Sequence, residues 1–155
     1  MTILNNKIGV IGLGNMGQPI AEHIANAGSE VFAYDIDTEK TATSDSLVVC
    51  NSIEEVQKHT STLLLSLPDA SAVSAVTSQL SEADTNGPFT VIDTSTIGPQ
   101  NSAEVANVLK QRNGNYLDSP VSGGVRGAKA GSLAVMCAGD QALFEQVLHL
   151  SLIHI

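Results

Sequence analysis

Gly12, Gly14 and Gly17 stand in the run Gly12-Leu13-Gly14-Asn15-Met16-Gly17, directly after the apolar stretch Ile8-Gly9-Val10-Ile11. The chemistry this spacing allows is the binding of a pyrophosphate. Gly12 permits a tight turn out of a strand, Gly14 lets the backbone approach phosphate oxygens, and Gly17 lets the next helix pack close to the strand. The N-terminus of that helix would aim free N–H groups and a positive dipole end at the phosphates. Asp35 follows at close to the offset of about 20 residues at which a carboxylate meets the adenosine ribose. The competing reading is a tight strand-to-helix turn that uses glycine only for positive φ.

A carboxylate at position 35 accepts hydrogen bonds from ribose hydroxyls and repels a 2′-phosphate. No arginine stands in Ile36-Asp37-Thr38-Glu39, so the cofactor expected is NAD rather than NADP. Asp35 could instead cap a following helix, a service that Asp37 or Thr38 also offers. Met16 falls in the glycine run and also begins the stripe Met16, Ile20, Ile24. Both a core position and a contact on the nicotinamide side are open to it.

Three further places carry unusual residues at the expected carboxyl ends of strands, where open α/β sheets bind ligands. They are Leu67-Pro68, Asp93-Thr94-Ser95-Thr96 followed by Gly98-Pro99, and Asp118-Ser119-Pro120-Val121-Ser122-Gly123-Gly124. Ser122 can donate its O–H to a carboxylate, and Gly123 and Gly124 allow N–H groups to come close to an anion. A glycine-rich turn capped by serine explains the last run equally well.

The elements that must position these residues alternate between strand and helix. Strands are expected at Ile8–Ile11, in the run ending at Asp35, and at Leu47–Cys50, Leu63–Leu67, Thr90–Asp93, Tyr116–Asp118 and Leu133–Ala138. Helices are expected after the glycine run, with Pro19 tolerated in the first turn, and at Ile53–Lys58, Ala70–Leu80, Asn101–Arg112 and Gln141–Leu148. Val73, Val76 and Leu80 form one inward face, and Val105, Val108 and Leu109 another. Asn113-Gly114 reads as a helix C-cap and Asp140 as an N-cap. The alternation predicts a Rossmann-type, doubly wound, mostly parallel α/β sheet.

With 155 residues, 43% of them hydrophobic, the chain suits one domain with a real core. Its net charge of −9 and lack of a basic stripe argue against nucleic acid and against an anionic membrane. The apolar runs are strand-length and no signal segment is visible, so a cytoplasmic protein is expected. Cys50 and Cys137 sit in apolar runs without disulfide-type spacing and read as buried free thiols. No metal site is expected. His149 and His154 have no third ligand placed beside them.

The glycine run with Gln18-Pro19, the Leu67-Pro68 pair, Asp93–Pro99 and Asp118–Gly124 resemble, in this order, four motifs of the β-hydroxyacid dehydrogenases. That family includes 3-hydroxyisobutyrate dehydrogenase and tartronate semialdehyde reductase and, more distantly, 6-phosphogluconate dehydrogenase. The resemblance implies NAD(P)-dependent interconversion of a short β-hydroxy acid and a semialdehyde. It implies that Gly12, Leu13, Gly14, Asn15, Met16 and Gly17 hold the pyrophosphate, that Leu67 and Pro68 lie along the cofactor, and that Thr96 sits near the nicotinamide. Ser122, Gly123 and Gly124 would hold the substrate. A homo-oligomer is expected of the whole protein.

The resemblance also shows a departure. The family's proton-transferring lysine lies on a long helix after the nucleotide domain, in a glycine-rich segment ending in Lys and Asn. None of Lys7, Lys40, Lys58, Lys110 or Lys129 has that context, and Lys129 reads as an exposed turn residue. The expectation is therefore a Rossmann domain over residues 1–147 that binds cofactor without turnover, with the family's helical second domain missing. Residues 148–155 would be an atypical, non-native tail. A non-catalytic dinucleotide-binding or interaction module is the other reading. A substrate loop as intact as Ser122-Gly123-Gly124 speaks against it.

Overall fold

The computed structural model describes residues 7–40, 45–84 and 87–152. Six strands run parallel in one sheet: β1 (Lys7–Ile11), β2 (Glu30–Tyr34), β3 (Leu47–Val49), β4 (Thr62–Leu65), β5 (Phe89–Asp93) and β6 (Gly114–Asp118). Their order is β3-β2-β1-β4-β5-β6. The chain winds outward from β1 to β3, returns to the other side of β1 for β4, and winds outward again. Such a reversal opens a crevice at the carboxyl ends of β1 and β4. The connecting helices are α1 (Gly17–Asn26), α2 (Ile53–His59), α3 (Ala70–Glu82) and α4 (Pro99–Lys110). After β6 come β7 (Val121–Ser122), α5 (Gly124–Ala130), β8 (Ala134–Val135) and α6 (Gln141–Leu152).

Alternation along the strands divides the core between two faces. Val10 and Leu64 point to one face, where α1 supplies Ile20 and Ile24 and α6 supplies Leu143, Val147 and Leu150. Ile11, Leu63 and Leu65 point to the other, against Val56 of α2, Val73 and Leu80 of α3, and Val105 and Leu109 of α4. This is the doubly wound α/β sheet that strand–helix alternation predicts. Three of its helices, α2, α3 and α6, start where capping residues accept backbone N–H groups: Ser52 from Glu55 at 3.1 Å, Asp69 from Ala72 at 2.8 Å, and Asp140 from Leu143 at 2.9 Å.

Several local expectations change. The ladder of β4 ends at Leu65, ahead of the expected Leu67, and only the Ser66 N–H still reaches Ile11 O, at 3.0 Å. α4 starts at Pro99, two residues early, because proline is pre-organised for the first helical position behind Gly98. Val108, expected inward, is 41% exposed, while Val105 and Leu109 are buried. Asn113 takes the left-handed backbone (φ 58°) and Gly114 already belongs to β6. There a side chain would press on the Phe89 ring.

The largest difference lies past β6. The run expected to be a glycine-rich turn contains α5, so Lys129 is an exposed helical residue. β7 and β8 enclose that helix as an antiparallel pair, Val121 opposite Val135 and Ser122 opposite Ala134. The strand expected over Leu133–Ala138 is thus only Ala134–Val135 plus a bridge from Ala138 back to Asp118. α6 continues past Leu148, with Leu150 buried in the core.

Candidate functional site

The turn from β1 into α1 is held by backbone that tolerates no side chain at two points. Gly12 has φ +101°, and a Cβ there would collide with the Ser66 carbonyl. A Cβ on Gly17 would collide with the Gly12 carbonyl, so the first residue of α1 lies directly on the turn. Gly14 is different: a Cβ added there would meet nothing within 4 Å. The space beside Gly14 is open, and it faces the start of a helix whose N-cap, Met16, makes no side-chain cap bond. Uncapped N–H groups at a helix start, beside open room, are what a pyrophosphate requires.

Gly14, Asn15, Met16 and Gly17 border a cavity of about 550 Å³ that continues past Asp35 to Leu67 and Pro68. The walls are largely apolar. Tyr34 and Ile36 follow from β2, Ile53 opens α2, and Ala72 and Val76 come from α3. Ile36 is 87% exposed, an apolar residue left uncovered at the cavity rim. An apolar cleft with convergent backbone donors at a sheet reversal has the form of a dinucleotide site, so the residues present fit the cofactor.

Asp35 neither caps a helix nor stands apart. Its Oδ2 accepts the Leu13 N–H at 2.6 Å and its Oδ1 the Asp37 N–H at 2.8 Å. Leu13 itself is 1% exposed, its side chain in the core and its N–H taken by Asp35, so it serves the turn and not the cavity wall. Met16 meets both descriptions offered for it, half-buried against the core and lining the cavity.

Leu67 and Pro68 are fixed from below by residues that motif reading passes over. The Leu67 N–H donates to Ser95 Oγ at 3.0 Å, and the Ser95 N–H donates to Asp93 Oδ1 at 2.9 Å. Tyr116 donates its O–H to Asp93 Oδ2 at 2.9 Å. Thr94 adds a 2.6 Å bond from its hydroxyl to Leu65 O. Asp93 is fully buried, and burial holds its carboxyl above the ordinary carboxylate range, against the lowering effect of hydrogen bonds from Ser95 and Tyr116. Burial and the Asp93 charge push the Tyr116 phenol upward. The signal available in the sequence was three consecutive hydroxyl residues after a buried strand, too common a pattern to assign partners.

Thr96 is exposed in the loop after β5 and does not border the cavity. Ser122, Gly123 and Gly124 are exposed where β7 meets α5. Gly123 (φ +133°) forms the cap of that helix. The two loops leave adjacent strands, since Asp93 pairs with Asp118, so both lie at the carboxyl edge of the sheet that also holds the glycine turn. Both cysteines are free, but only Cys50 is fully buried. Burial and the Glu55 charge push its thiol up to about 11. Cys137 is half-buried, with its sulfur 3.3 Å from Ser119 Oγ. Of the histidine pair near the C-terminus, His149 lies on α6 and His154 is outside the described residues. Among the described residues no helix is long and apolar enough to cross a membrane.

Comparison with known proteins agrees with this geometry. Residues 7–151 match the NAD binding domain of 6-phosphogluconate dehydrogenase. The chain is 34% identical over 145 residues to 2-hydroxy-3-oxopropionate reductase of Escherichia coli K12, and 31% identical over 153 residues to 2-(hydroxymethyl)glutarate dehydrogenase of Eubacterium barkeri. Each alignment takes in 91% of this chain and 49% or 48% of the relative, so the chain spans about half the length of the curated relatives it matches. Among solved structures, 3-hydroxyisobutyrate dehydrogenase of Mycobacterium tuberculosis with L-serine superimposes with a TM-score of 0.84 at 31% identity, over 93% of this chain and 50% of that one. With its sheet order, its glycine turn and a family match over nearly its whole length, this chain belongs to the family of the NAD-binding domain of 6-phosphogluconate dehydrogenase.

Proposed function

We propose that this chain is the cofactor-binding half of an NAD-linked dehydrogenase of short β-hydroxy acids. The observation that carries the reading is a juxtaposition at one sheet edge. The glycine turn and its cavity lie where β1 and β4 part, and the loops bearing Thr96 and Ser122–Gly124 leave β5 and β6 at the same edge. The hydroxy-acid oxidoreductases among its relatives support the substrate class.

When bound, the nicotinamide takes up or gives back a hydride; that chemistry is the cofactor's. This chain's residues bind and orient. Gly14, Asn15 and the start of α1 hold the pyrophosphate, and Asp35 takes the ribose hydroxyls and disfavours a 2′-phosphate. Leu67 and Pro68 lie along the cofactor, Thr96 near its nicotinamide end. The Ser122 hydroxyl with the Gly123 and Gly124 N–H groups holds the substrate carboxylate. No lysine of this chain is assigned the proton transfer. Lys129, the one nearest the substrate loop in sequence, is exposed on α5. The chain by itself therefore binds the dinucleotide with turnover near zero.

Calorimetric titration of the 155-residue chain with NAD and NADP, followed by an absorbance assay for NADH with 3-hydroxyisobutyrate, tests this. Saturable binding tighter for NAD, without NADH formation, is expected. A folded chain that binds neither nucleotide would sink the reading. Protein-dependent NADH formation would overturn its division of labour.

A further inference from the structure

Cys50, Glu55 and His59 converge away from the cofactor cavity, none of the three bordering it. Cys50 Sγ, a Glu55 carboxylate oxygen and a His59 ring nitrogen all lie within 4.8 Å of one another. We propose that these three side chains form a binding site for a borderline-soft divalent cation of the Zn²⁺ class, with water completing the coordination.

The local fold brings the three together for separate reasons. Glu55 and His59 are four residues apart on α2, so they occupy one helix face. Cys50 follows β3 and is anchored by its N–H to Ala33 O at 2.7 Å, which sets it beside that face. The His59 ring is stacked on Phe32, centroids 4.1 Å apart and planes 6° from parallel, so its orientation is already fixed. Glu55 Oε2 accepts the Asn51 N–H at 2.7 Å and the Asn51 side-chain amide at 3.3 Å. That leaves Oε1 for an ion and supplies the outer hydrogen bonds that orient a metal-binding carboxylate.

The donor set decides the kind of ion. Thiolate, imidazole and carboxylate together select a borderline metal over Mg²⁺ or Ca²⁺, which take oxygen ligands. Zn–S near 2.3 Å and Zn–N or Zn–O near 2.1 Å put the ligand atoms of a tetrahedral ion about 3.5 Å apart, so atoms that lie within 4.8 Å of one another need to close by about 1.3 Å at most. Rotation of the half-buried Glu55 side chain can supply that while His59 stays stacked on Phe32, and the exposed side at His59 leaves the fourth position to water. On binding, the Cys50 thiol loses its proton to solvent, and the thiolate with the Glu55 carboxylate balances the charge of a dication.

The test is titration of the metal-free 155-residue chain with Co²⁺, a spectroscopic stand-in for Zn²⁺. One cobalt per chain with a thiolate-to-cobalt charge-transfer band, displaced by an equivalent of Zn²⁺, is expected. Cys50→Ser should abolish the band and Cys137→Ser should leave it. His59→Ala and Glu55→Gln should weaken binding by about tenfold or more. Because Cys50 is buried and His59 covers the Phe32 ring, circular dichroism checks each variant, and Glu55→Gln, which removes the carboxylate charge at nearly constant shape, tests the site without uncovering the core. Absence of the band in the unaltered chain would overturn the assignment. So would a band that survives Cys50→Ser, is lost in Cys137→Ser, or is indifferent to His59→Ala.

Discussion

The Asp35 carboxylate accepts the Leu13 N–H at 2.6 Å, so the end of β2 is fastened to the glycine turn that follows β1. The residue that would meet the ribose therefore also shapes the loop that would meet the pyrophosphate. Asp35→Ala should do two things at once. It should remove the preference for NAD over NADP, and it should cost about 1–3 kcal/mol of stability by leaving the buried Leu13 N–H without an acceptor. Asp35→Asn keeps an acceptor for Leu13 and should recover most of the stability. Nucleotide titrations beside thermal melts of both variants separate the two effects.

The three glycines of the turn should respond differently to alanine. Gly12→Ala forces a side chain into positive φ against the Ser66 carbonyl, at a cost of about 1–3 kcal/mol. Gly17→Ala drives the start of α1 off the Gly12 carbonyl and should be at least as damaging. Gly14→Ala points its methyl into open space, so the melting temperature should hardly move while NAD binding weakens by roughly tenfold or more, since the methyl occupies the place of a phosphate. Equal loss of binding and stability at Gly14 would mean that the open space is not a ligand's.

Ser95→Ala removes the acceptor of the Leu67 N–H without touching the cavity wall. Stability should fall by about 1–2 kcal/mol. NAD affinity should fall as well, because Leu67 and Pro68 are no longer held in place. Ser95→Thr retains a hydroxyl and should restore the affinity if the fold accommodates its methyl. Affinity that stays at the unaltered level in Ser95→Ala would detach this network from binding.

Asp93 gives the stability a pH dependence of known sign. Its carboxyl is held above the unfolded value of 3.8 chiefly by burial. Between that value and its native one the folded chain binds more protons than the unfolded chain, so this residue's contribution is fullest in acid and declines as pH rises. Asp93→Asn keeps an oxygen for the Ser95 N–H and an amide that the Tyr116 hydroxyl can accept from. Denaturant melts from pH 4 to 7 should show a smaller loss of stability with rising pH in this variant than in the unaltered chain.

How far the sequence could be read depended on the range of the interactions involved. The glycine turn, the six parallel strands and the cap at Asp140 are written in neighbouring residues, where propensity and periodicity act. α5 was not readable, because Gly124 and Gly127 lower helix propensity and the helix is held by packing against α1, with His23 Nε2 3.1 Å from the Lys129 carbonyl oxygen. The Tyr116–Asp93–Ser95–Leu67 chain joins the ends of three strands, and no local pattern announces it. Cys50, Glu55 and His59 lack any standard ligand spacing. Their meeting depends on the angle at which α2 leaves β3 and on the stacking of His59 over Phe32.

The central place of β1 has a consequence for the chain as it is made. One edge of β1 pairs with β2, but the other waits for β4, with Gly9 opposite Leu63. Until that later segment has left the ribosome, a strand that ends up at the centre of the sheet has a bare edge, offering N–H and C=O groups to any other nascent chain. Parallel pairing closes long loops before it is rewarded, which makes this step slow. The flank of β1 therefore stays open to wrong pairing during synthesis, until β4 has covered it.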